Sequence, residues 1–352
     1  NLENPQRRAH MVTIDDIAKK MKVSKGTVSK ALNGAFDVSE TMRKSILETA
    51  VEMGYTKPLR KKEAPRFCVF AVTMAYRNPE DFGSDIITGF RKMAEPAGCT
   101  VAIQQPDAAF REANPSFDGY MLEHNYAGAL FLDLDLQDPW LKQLHTSRTP
   151  AVLLDNYVMQ NAATAYIGTD NDEAMYLAIQ HLKELGHQKI GYLSGTLNAY
   201  INQVRYEAFF RALQLHGLPC VRELAGTSNH LLENLQVHFP RLMQQGVTAF
   251  MCSHDLLAHG LMLHCQDLHI RVPEDISIVG FDDLPICAYT NPPLTTIRQD
   301  RLQLGKSAYY ALSSLAENIP ISTLLLHPRL VVRNSTGAPP VHTDNSCTPD
   351  PQ

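Results

Sequence analysis

Four side chains near the amino end have the types and the spacing needed to bind duplex DNA. Thr27 and Ser29 can donate hydrogen bonds to phosphate oxygens, and Lys25 and Lys30 can reach acceptors on base edges. Gly26 lies between them and permits a close approach of the backbone. The full candidate set for DNA contact in this segment is Thr13, Ser24, Lys25, Gly26, Thr27, Ser29, Lys30 and Asn33.

Two short helices joined by a tight turn must position these groups. Thr13 is placed to cap the first helix, and residues 22–24 interrupt the helical pattern. Ser24 can then cap a second helix that runs from Lys25 to Leu32. The apolar face of the first helix consists of Ile14, Ile17, Ala18 and Met21. The pattern is that of a helix-turn-helix.

A third helix follows within residues 34–57, with Ser39 as its cap and Gly54 as its stop. Its inward residues are Ile46, Leu47, Ala50, Val51 and Met53. Three helices can enclose a core of their own, which predicts a separate domain. The alternative is an ordinary helical hairpin with one apolar and one lysine-bearing side, since most such hairpins never contact nucleic acid.

Charge is distributed unevenly along the 352 residues. Residues 1–66 hold 14 Lys and Arg against 8 Asp and Glu, a net charge of +6, whereas residues 67–352 hold 18 against 29, a net charge of −11. A basic amino end on an acidic body favours a local phosphate-binding module over a general polyanion binder. The length predicts two or three domains.

The seven cysteines include no CxxC pair, and the histidines form no cluster with metal-ligand spacing. We therefore expect reduced core cysteines, no metal site and no cofactor. No apolar run is long enough to cross a membrane, and residues 1–10 lack the hydrophobic centre of a signal peptide. These features predict a cytoplasmic protein with no membrane partner. Residues 338–352 are rich in proline and small polar residues, which predicts a disordered tail.

After residue 66, apolar strand-like runs alternate with amphipathic helical stretches. This alternation predicts an α/β fold with two doubly wound parallel-sheet lobes behind the three-helix headpiece. The predicted strand-like runs are residues 67–74, 100–105, 128–134, 151–156, 189–195, 249–254 and 276–283. A late helix over residues 296–312 and strands within 324–333 would cross back between the lobes. No GxGxxG, GxxxxGK[ST] or GxSxG motif is present, which argues against an enzyme.

The segments VTIDDIA, VSKGTVSKALNG, VSETMRKSIL and MGY resemble the headpiece of the LacI/GalR family of bacterial repressors. Further similarity follows in order through residues 181–195, 204–213 and 272–300, the last as VPEDISIVGFDDLPICAYTNPPLTTIRQD. The resemblance thus covers residues 12–337. It implies a periplasmic-binding-protein-like core, in which ligands sit at the carboxyl ends of strands.

The resemblance further implies that Asp155, Arg205, His254 and Asp282 contact a small effector between the lobes. Paired carboxylate oxygens accept from neighbouring sugar hydroxyls, and a guanidinium donates in a fixed fork, so the set suits a sugar or sugar derivative. Two alternatives stay open. Both aspartates could instead cap helices, and Arg205 could form a salt bridge between the lobes.

Three positions depart from the family pattern. His254 stands where members usually have asparagine, which raises a possible pH effect. Ser228 and Arg301 stand where some members place aromatic rings against the sugar. These two remain candidate effector contacts, and the second cation suggests an anionic effector such as a sugar phosphate or uronate.

The segment between headpiece and core is also unusual. Family members carry there a short helix that inserts into the minor groove, whereas residues 57–66 here are strongly basic and contain Pro58 and Pro65. Leu59 is the candidate wedge. A plain linker that contacts phosphates is the alternative.

Together these features predict a transcriptional regulator, most simply a repressor, that acts as a homodimer on a near-palindromic operator under control of the effector. The expected divisions are a DNA-binding headpiece (11–57), a basic linker or hinge (58–66), a core (67–337) and the tail (338–352). Lobe 1 would take residues 67–164 and 298–323, and lobe 2 residues 165–297 and 324–337. The rival classes are a sugar-binding protein of a transport system, which shares such a core, and a sugar-processing enzyme.

Overall fold

The computed structural model describes residues 12–56, 65–71, 82–132 and 134–340. The predicted wedge Leu59 lies outside these residues. Residues 341–352 of the predicted tail lie outside them as well. The chain divides into two compact units, each assembled from separate stretches. The first contains residues 1–168 and 301–325, and the second contains residues 169–300 and 326–352.

Three helices form the amino-terminal part of the first unit. They are α1 (Ile14–Met21), α2 (Lys25–Leu32) and α3 (Glu40–Glu52). Each begins where its sequence predicts: the side chains of Thr13, Ser24 and Ser39 accept from backbone amides of the first turn. Their common core is closed by fully buried Ile17, Val28, Ile46 and Ala50. The three predicted helices are therefore confirmed.

The rest of the first unit is a six-stranded sheet with strand order β11-β5-β4-β3-β1-β2. Its strands are β1 (Arg66–Ala71), β2 (Thr100–Gln104), β3 (Gly128–Leu132), β4 (Ala151–Leu154), β5 (Thr164–Thr169) and β11 (Thr323–Leu326). Its helices are α4 (Phe82–Ala94), α5 (Ala108–Ala113), α6 (Phe117–Glu123), α7 (Pro139–Leu144) and α13 (Arg301–Ala316). Strands β1 to β5 pair in parallel, with Phe70 and Trp140 at the centre of an aromatic cluster.

The second unit repeats the architecture with strand order β12-β10-β9-β8-β6-β7. Its strands are β6 (Ile190–Ser194), β7 (Ala225–Thr227), β8 (Ala249–Cys252), β9 (Ser277–Asp282), β10 (Thr295–Arg298) and β12 (Arg329–Val331). Its helices are α8 (Asn171–Glu184), α9 (Tyr200–Leu215), α10 (Leu231–Glu233), α11 (Phe239–Gln244) and α12 (Asp255–Asp267), with a π-helical turn at Asn234–His238 and 3-10 turns at Arg222–Leu224 and Pro285–Ala288. Only the pairing of β10 with β12 is antiparallel among the pairings described here.

The α/β class with two parallel-dominated sheets is confirmed, but three elements differ from expectation. Strand β7 (Ala225–Thr227) lies where no strand is predicted. The predicted late helix begins at Arg301 rather than at residue 296, because residues 295–298 form β10 and pair with both β9 and β12. Strand β5 was not predicted at all. Its six residues are all buried, so it shows no polar and apolar alternation.

The described cysteines are free thiols, and five of them are buried: Cys68, Cys99, Cys252, Cys265 and Cys287. This agrees with the expectation of reduced core residues, while Cys220 is exposed and Cys347 lies outside the described residues. Within the described ranges no three His, Cys, Asp or Glu side chains are grouped so that they could hold a metal ion. None of the described helices is long and apolar enough to span a membrane.

Candidate functional site

The outward surface of α2 carries the predicted DNA-contacting groups. Lys25, Gly26 and Lys30 are exposed, and Thr27 and Ser29 are half-buried beside them. This helix begins at Ser24, whose Oγ accepts from the Thr27 amide at 3.0 Å and lies 2.8 Å from the Thr27 hydroxyl.

Two predicted contacts have roles within the headpiece itself. Thr13 forms a capping box with Asp16, in which each side chain bonds the other residue's backbone amide. Asn33 caps the end of α2 by donating from its side chain to the Ser29 carbonyl at 2.7 Å. These two side chains therefore shape the helix ends.

Both lysines of α2 are ion-paired. Lys25 Nζ lies 2.8 Å from Asp15 of α1, and Lys30 Nζ pairs with Asp37 in the loop after α2. Lys30 also holds the pKa of Asp37 below its ordinary value, chiefly through this hydrogen bond. The sequence analysis did not identify either carboxylate as part of this surface.

In the second unit, Arg205 of α9 is the centre of a buried polar cluster. Its Nε donates to Asn171 Oδ1 at 3.1 Å and its Nη1 donates to the Ser253 carbonyl at 2.7 Å. Its Nη2 lies 3.8 Å from Asp282 Oδ1, and its guanidinium lies 3.8 Å from the centre of the Phe281 ring. The guanidinium is thus fixed in one orientation.

Asp282 ends strand β9, and the oxygen that faces Arg205 also accepts a hydrogen bond from Gln299. Gln299 Nε2 donates to Asp282 Oδ1 at 2.7 Å, and Gln299 Oε1 accepts from the Thr169 hydroxyl at 2.6 Å. Asp282 has φ of +116° and Asp283 has φ of +53°, a conformation that non-glycine residues rarely adopt. Such strain is found mainly where a site requires a side chain in a fixed position.

Neither aspartate caps a helix, so that alternative is excluded. Asp155 follows β4 with φ of +53°, and no helix begins near it among the described residues. The 3-10 turn after Asp282 begins at Pro285, and the residue at its cap position is Leu284, which makes no side-chain cap hydrogen bond. The carboxylate facing Arg205 is Asp282 of the same unit.

His254 caps α12, and its chemistry follows from that role. Its Nδ1 accepts from the Leu257 amide at 3.1 Å, so the neutral ring carries its proton on Nε2. Burial, aided by the charge of Arg205, lowers the pKa of His254 to about 4. The imidazole is therefore neutral near pH 7, and the pH effect suggested by the sequence does not fall in the physiological range.

The two remaining candidates have partners in their own units. The Ser228 hydroxyl donates to Glu233 at 2.5 Å and accepts from the His230 amide at 3.0 Å. Arg301 binds Asp85 of α4 through Nε and Nη2, both at 3.1 Å. The charge of Arg301 is thus already balanced.

Three side chains of the Arg205 cluster were missed in the sequence: Asn171, Phe281 and Gln299. A signal exists for two of them, because Asn171 and Gln299 are polar residues just after the ends of strands. Beside them, the Ser253 hydroxyl is buried at the end of β8 and has no hydrogen-bond partner among the described residues.

Known protein families match both the headpiece and the core of this chain. The pattern of bacterial regulatory proteins of the lacI family matches residues 13–57, and that of a periplasmic binding protein-like domain matches residues 179–336. The chain is 31% identical over 339 residues to the HTH-type transcriptional regulator MalR of Streptomyces coelicolor, covering 92% of this chain and 96% of the relative.

Solved structures are similar as well. The Lac repressor dimer bound to operator and the anti-inducer ONPF aligns with a TM-score of 0.64 at 25% identity, covering 93% of this chain and all of that one. The complex of the transcriptional regulator CelR with cellobiose has the same fold, with a TM-score of 0.68 at 22% identity, covering 92% of this chain and 99% of that one. The chain therefore belongs to the lacI family of bacterial regulatory proteins and is a DNA-binding transcriptional regulator.

Proposed function

We propose that this regulator acts as a repressor in the bacterial cytoplasm, where a homodimer binds a near-palindromic operator and a small sugar or sugar derivative controls its affinity. In this proposal Lys25 and Lys30 contact base edges, while Thr27 and Ser29 contact phosphates. Leu59 remains the candidate minor-groove wedge of the basic linker.

The observation that carries the effector proposal is the strained Asp282 beside buried Arg205. A carboxylate accepts hydrogen bonds from groups such as sugar hydroxyls, and the guanidinium adds donors in a fixed plane. His254 can contribute its Nε2 proton. Asp155, Ser228 and Arg301 complete the proposed set of effector contacts.

A neutral effector fits the charges better than an anionic one. Arg205 faces Asp282 and Arg301 binds Asp85, so each guanidinium already has a carboxylate near it. The two arginines therefore give little reason to expect a sugar phosphate or uronate. The cellobiose bound to CelR, a regulator of the same fold, supports a neutral sugar.

Exposed apolar side chains of the second unit support a homodimer. Leu256 and Leu263 on α12 are 58% and 50% exposed, and Tyr289 is 85% exposed. Leu256 and Leu263 are seven residues apart and so lie on one face of α12, and exposed apolar groups that share a surface commonly mark a protein contact. The Lac repressor that this chain resembles was solved as a dimer on its operator.

A binding-site selection with the full chain and genomic fragments would identify the operator. Fluorescence anisotropy with that operator would then be measured against a panel of neutral and anionic sugars. We expect one neutral sugar to change operator affinity at least about tenfold, within the usual range of allosteric coupling. A chain that binds sugars but selects no DNA would instead favour the transport-protein reading, and turnover of a sugar would favour an enzyme.

Two matched variants locate the effector site. Asp282→Asn should bind operator normally and lose its response to the sugar, because the amide replaces an acceptor by a donor. Asp275→Asn also removes an aspartate paired with an arginine, Arg271, but in an exposed pair. It should respond like the wild type. If the sugar changes the operator affinity of both variants equally, Asp282 is not part of the effector site.

A further inference from the structure

The outward surface of α2 is electrically balanced, which is unexpected for a surface that meets DNA. Its lysines, Lys25 and Lys30, are each paired with a carboxylate, Asp15 and Asp37 respectively. The other described side chains on that surface of α2 are uncharged. The basic excess of the amino end is thus absent where base contacts are expected.

These ion pairs contribute little to folding. Lys25 and Asp15 are 63% and 51% exposed, and Lys30 and Asp37 are 56% and 57% exposed. Exposed pairs are hydrated and screened by salt, so their net effect on stability is small. Their position beside the DNA-contacting helix therefore needs another explanation.

The carboxylates compete with phosphates for the same ammonium groups. Non-specific binding comes almost entirely from cations that neutralise phosphates and release counterions. A lysine held by an aspartate contributes less to that binding, and the aspartate itself repels a nearby phosphate. On random DNA the lysine and the aspartate gain no matched base contact that would compensate for breaking their ion pair.

A matched base pair does compensate for breaking the ion pair. In the major groove guanine presents two acceptors, which lysine can contact, and its partner cytosine presents an amino donor, which aspartate can accept. A lysine and an aspartate held side by side are complementary to that pattern. The lysine and aspartate together therefore bind phosphates less favourably than a lysine alone, whereas both can form hydrogen bonds with a G·C base pair.

We propose that Asp15 and Asp37 are specificity-determining residues of this regulator, which lower its affinity for random DNA more than its affinity for operator. The inference rests on the proposed function, in which Lys25 and Lys30 contact bases. It adds two acidic residues to a recognition surface otherwise described by its cations and hydroxyls.

The test uses the full chain and three variants that each remove one carboxylate charge from the headpiece. Asp15→Asn and Asp37→Asn free the lysines of α2. Glu52→Gln is the matched control, because its partner Lys20 joins α1 to α3 at 3.0 Å and the pair is similarly exposed. Anisotropy would be measured on a random duplex and on the selected operator at several salt concentrations.

On random DNA we expect each Asn variant to bind about threefold tighter than Glu52→Gln at low salt. Its plot of log affinity against log salt should be steeper by about 0.9, the value for one added phosphate contact. On operator the gain should be smaller or reversed, so the ratio of operator to random affinity falls.

Random-DNA affinities and salt slopes equal to those of Glu52→Gln would overturn the inference. An unchanged ratio of operator to random affinity would overturn it too. Failure of the wild type to bind either duplex at low salt is a different result, since it would contradict the proposed DNA contacts themselves. Because all three carboxylates are exposed, unfolding is not expected, and circular dichroism would verify it.

Discussion

The backbone of Gly305 lies against the backbone of Ile86 so closely that a Cβ on Gly305 would stand 1.9 Å from the Ile86 carbonyl oxygen. The reciprocal position is similar, since a Cβ on Gly89 would stand 2.1 Å from the Leu302 carbonyl. Helices α13 and α4 therefore cross backbone to backbone. No side-chain rotation can relieve a methyl group at that crossing.

Gly305→Ala should therefore destabilise the first unit by about 2–3 kcal/mol, the upper part of the usual range for overpacking, because the contact is with backbone atoms. The measurement is urea unfolding followed by fluorescence. Gly26→Ala is the control, because the nearest atom to its added Cβ is the Ser24 Oγ at 3.6 Å. That change should be neutral or stabilise the headpiece by up to about 1 kcal/mol. Equal midpoints for Gly305→Ala and the wild type would contradict the crossing described here.

Removing the Arg205 guanidinium should leave buried polar groups without a donor. Arg205→Met is expected to lower the free energy of unfolding by about 3 kcal/mol, because Asp282 loses its nearby cation and the Ser253 carbonyl loses its donor. Arg211→Met on the same helix breaks an exposed pair with Asp172 and should cost less than about 1 kcal/mol. If Arg205→Met and Arg211→Met lower the free energy of unfolding by similar amounts in denaturant melts, the Arg205 cluster is not buried as described.

The buried imidazole of His254 should make stability depend on pH. Its pKa is about 4 in the folded chain and 6.5 when unfolded, so the unfolded state binds the proton more readily. The contribution is fully present above pH 6.5 and is lost as the pH falls toward 4. Between these limits we expect a loss of about 2–3 kcal/mol, because one unit of pKa difference corresponds to about 1.4 kcal/mol and the ring keeps some exposure to solvent.

His254→Asn is the matched variant for that measurement. Asparagine is a preferred helix cap but does not titrate, so α12 should keep its first turn. The wild type should lose more stability than His254→Asn between pH 6.5 and pH 4, as followed by thermal melts. Parallel curves for the two proteins would show that His254 titrates normally in the folded state.

Two substitutions on α2 should separate base reading from phosphate binding. Lys30→Ala should relax the sequence preference in a binding-site selection, whereas Thr27→Ala should weaken all sequences by a similar factor. The same assay measures both. If both variants lost affinity uniformly, Lys30 would be a phosphate contact like Thr27.

The headpiece could be predicted almost to the residue because its signals are local. Each helix begins at a hydroxyl cap three residues before the amide that it accepts from, and the apolar spacing is regular. Strands β5 and β10 could not be predicted in this way. All six residues of β5 are buried, so its sequence lacks the alternation of a half-buried strand, and the pairing of β10 with β9 and β12 depends on the folded sheet.

In the candidate sites, too, only the features that depend on local sequence could be predicted. The position of Asp282 after a strand is readable, but its contact with Gln299, 17 residues further along the chain, depends on the folded sheet. The pairing of Lys25 with Asp15 depends on how α1 and α2 pack. Residue types predicted the chemistry, while the partners that tune it came from tertiary structure.

The first unit ends with residues 301–325, which come long after its other strands. Helix α13 supplies Tyr309 to the rings of Phe67 and Phe90, and Leu312 lies against Gly128. A ribosome must therefore finish almost the entire second unit before the first can close its core. We infer that the growing polypeptide leaves this face of the sheet open to water or to a chaperone until residues 301–325 have been synthesised.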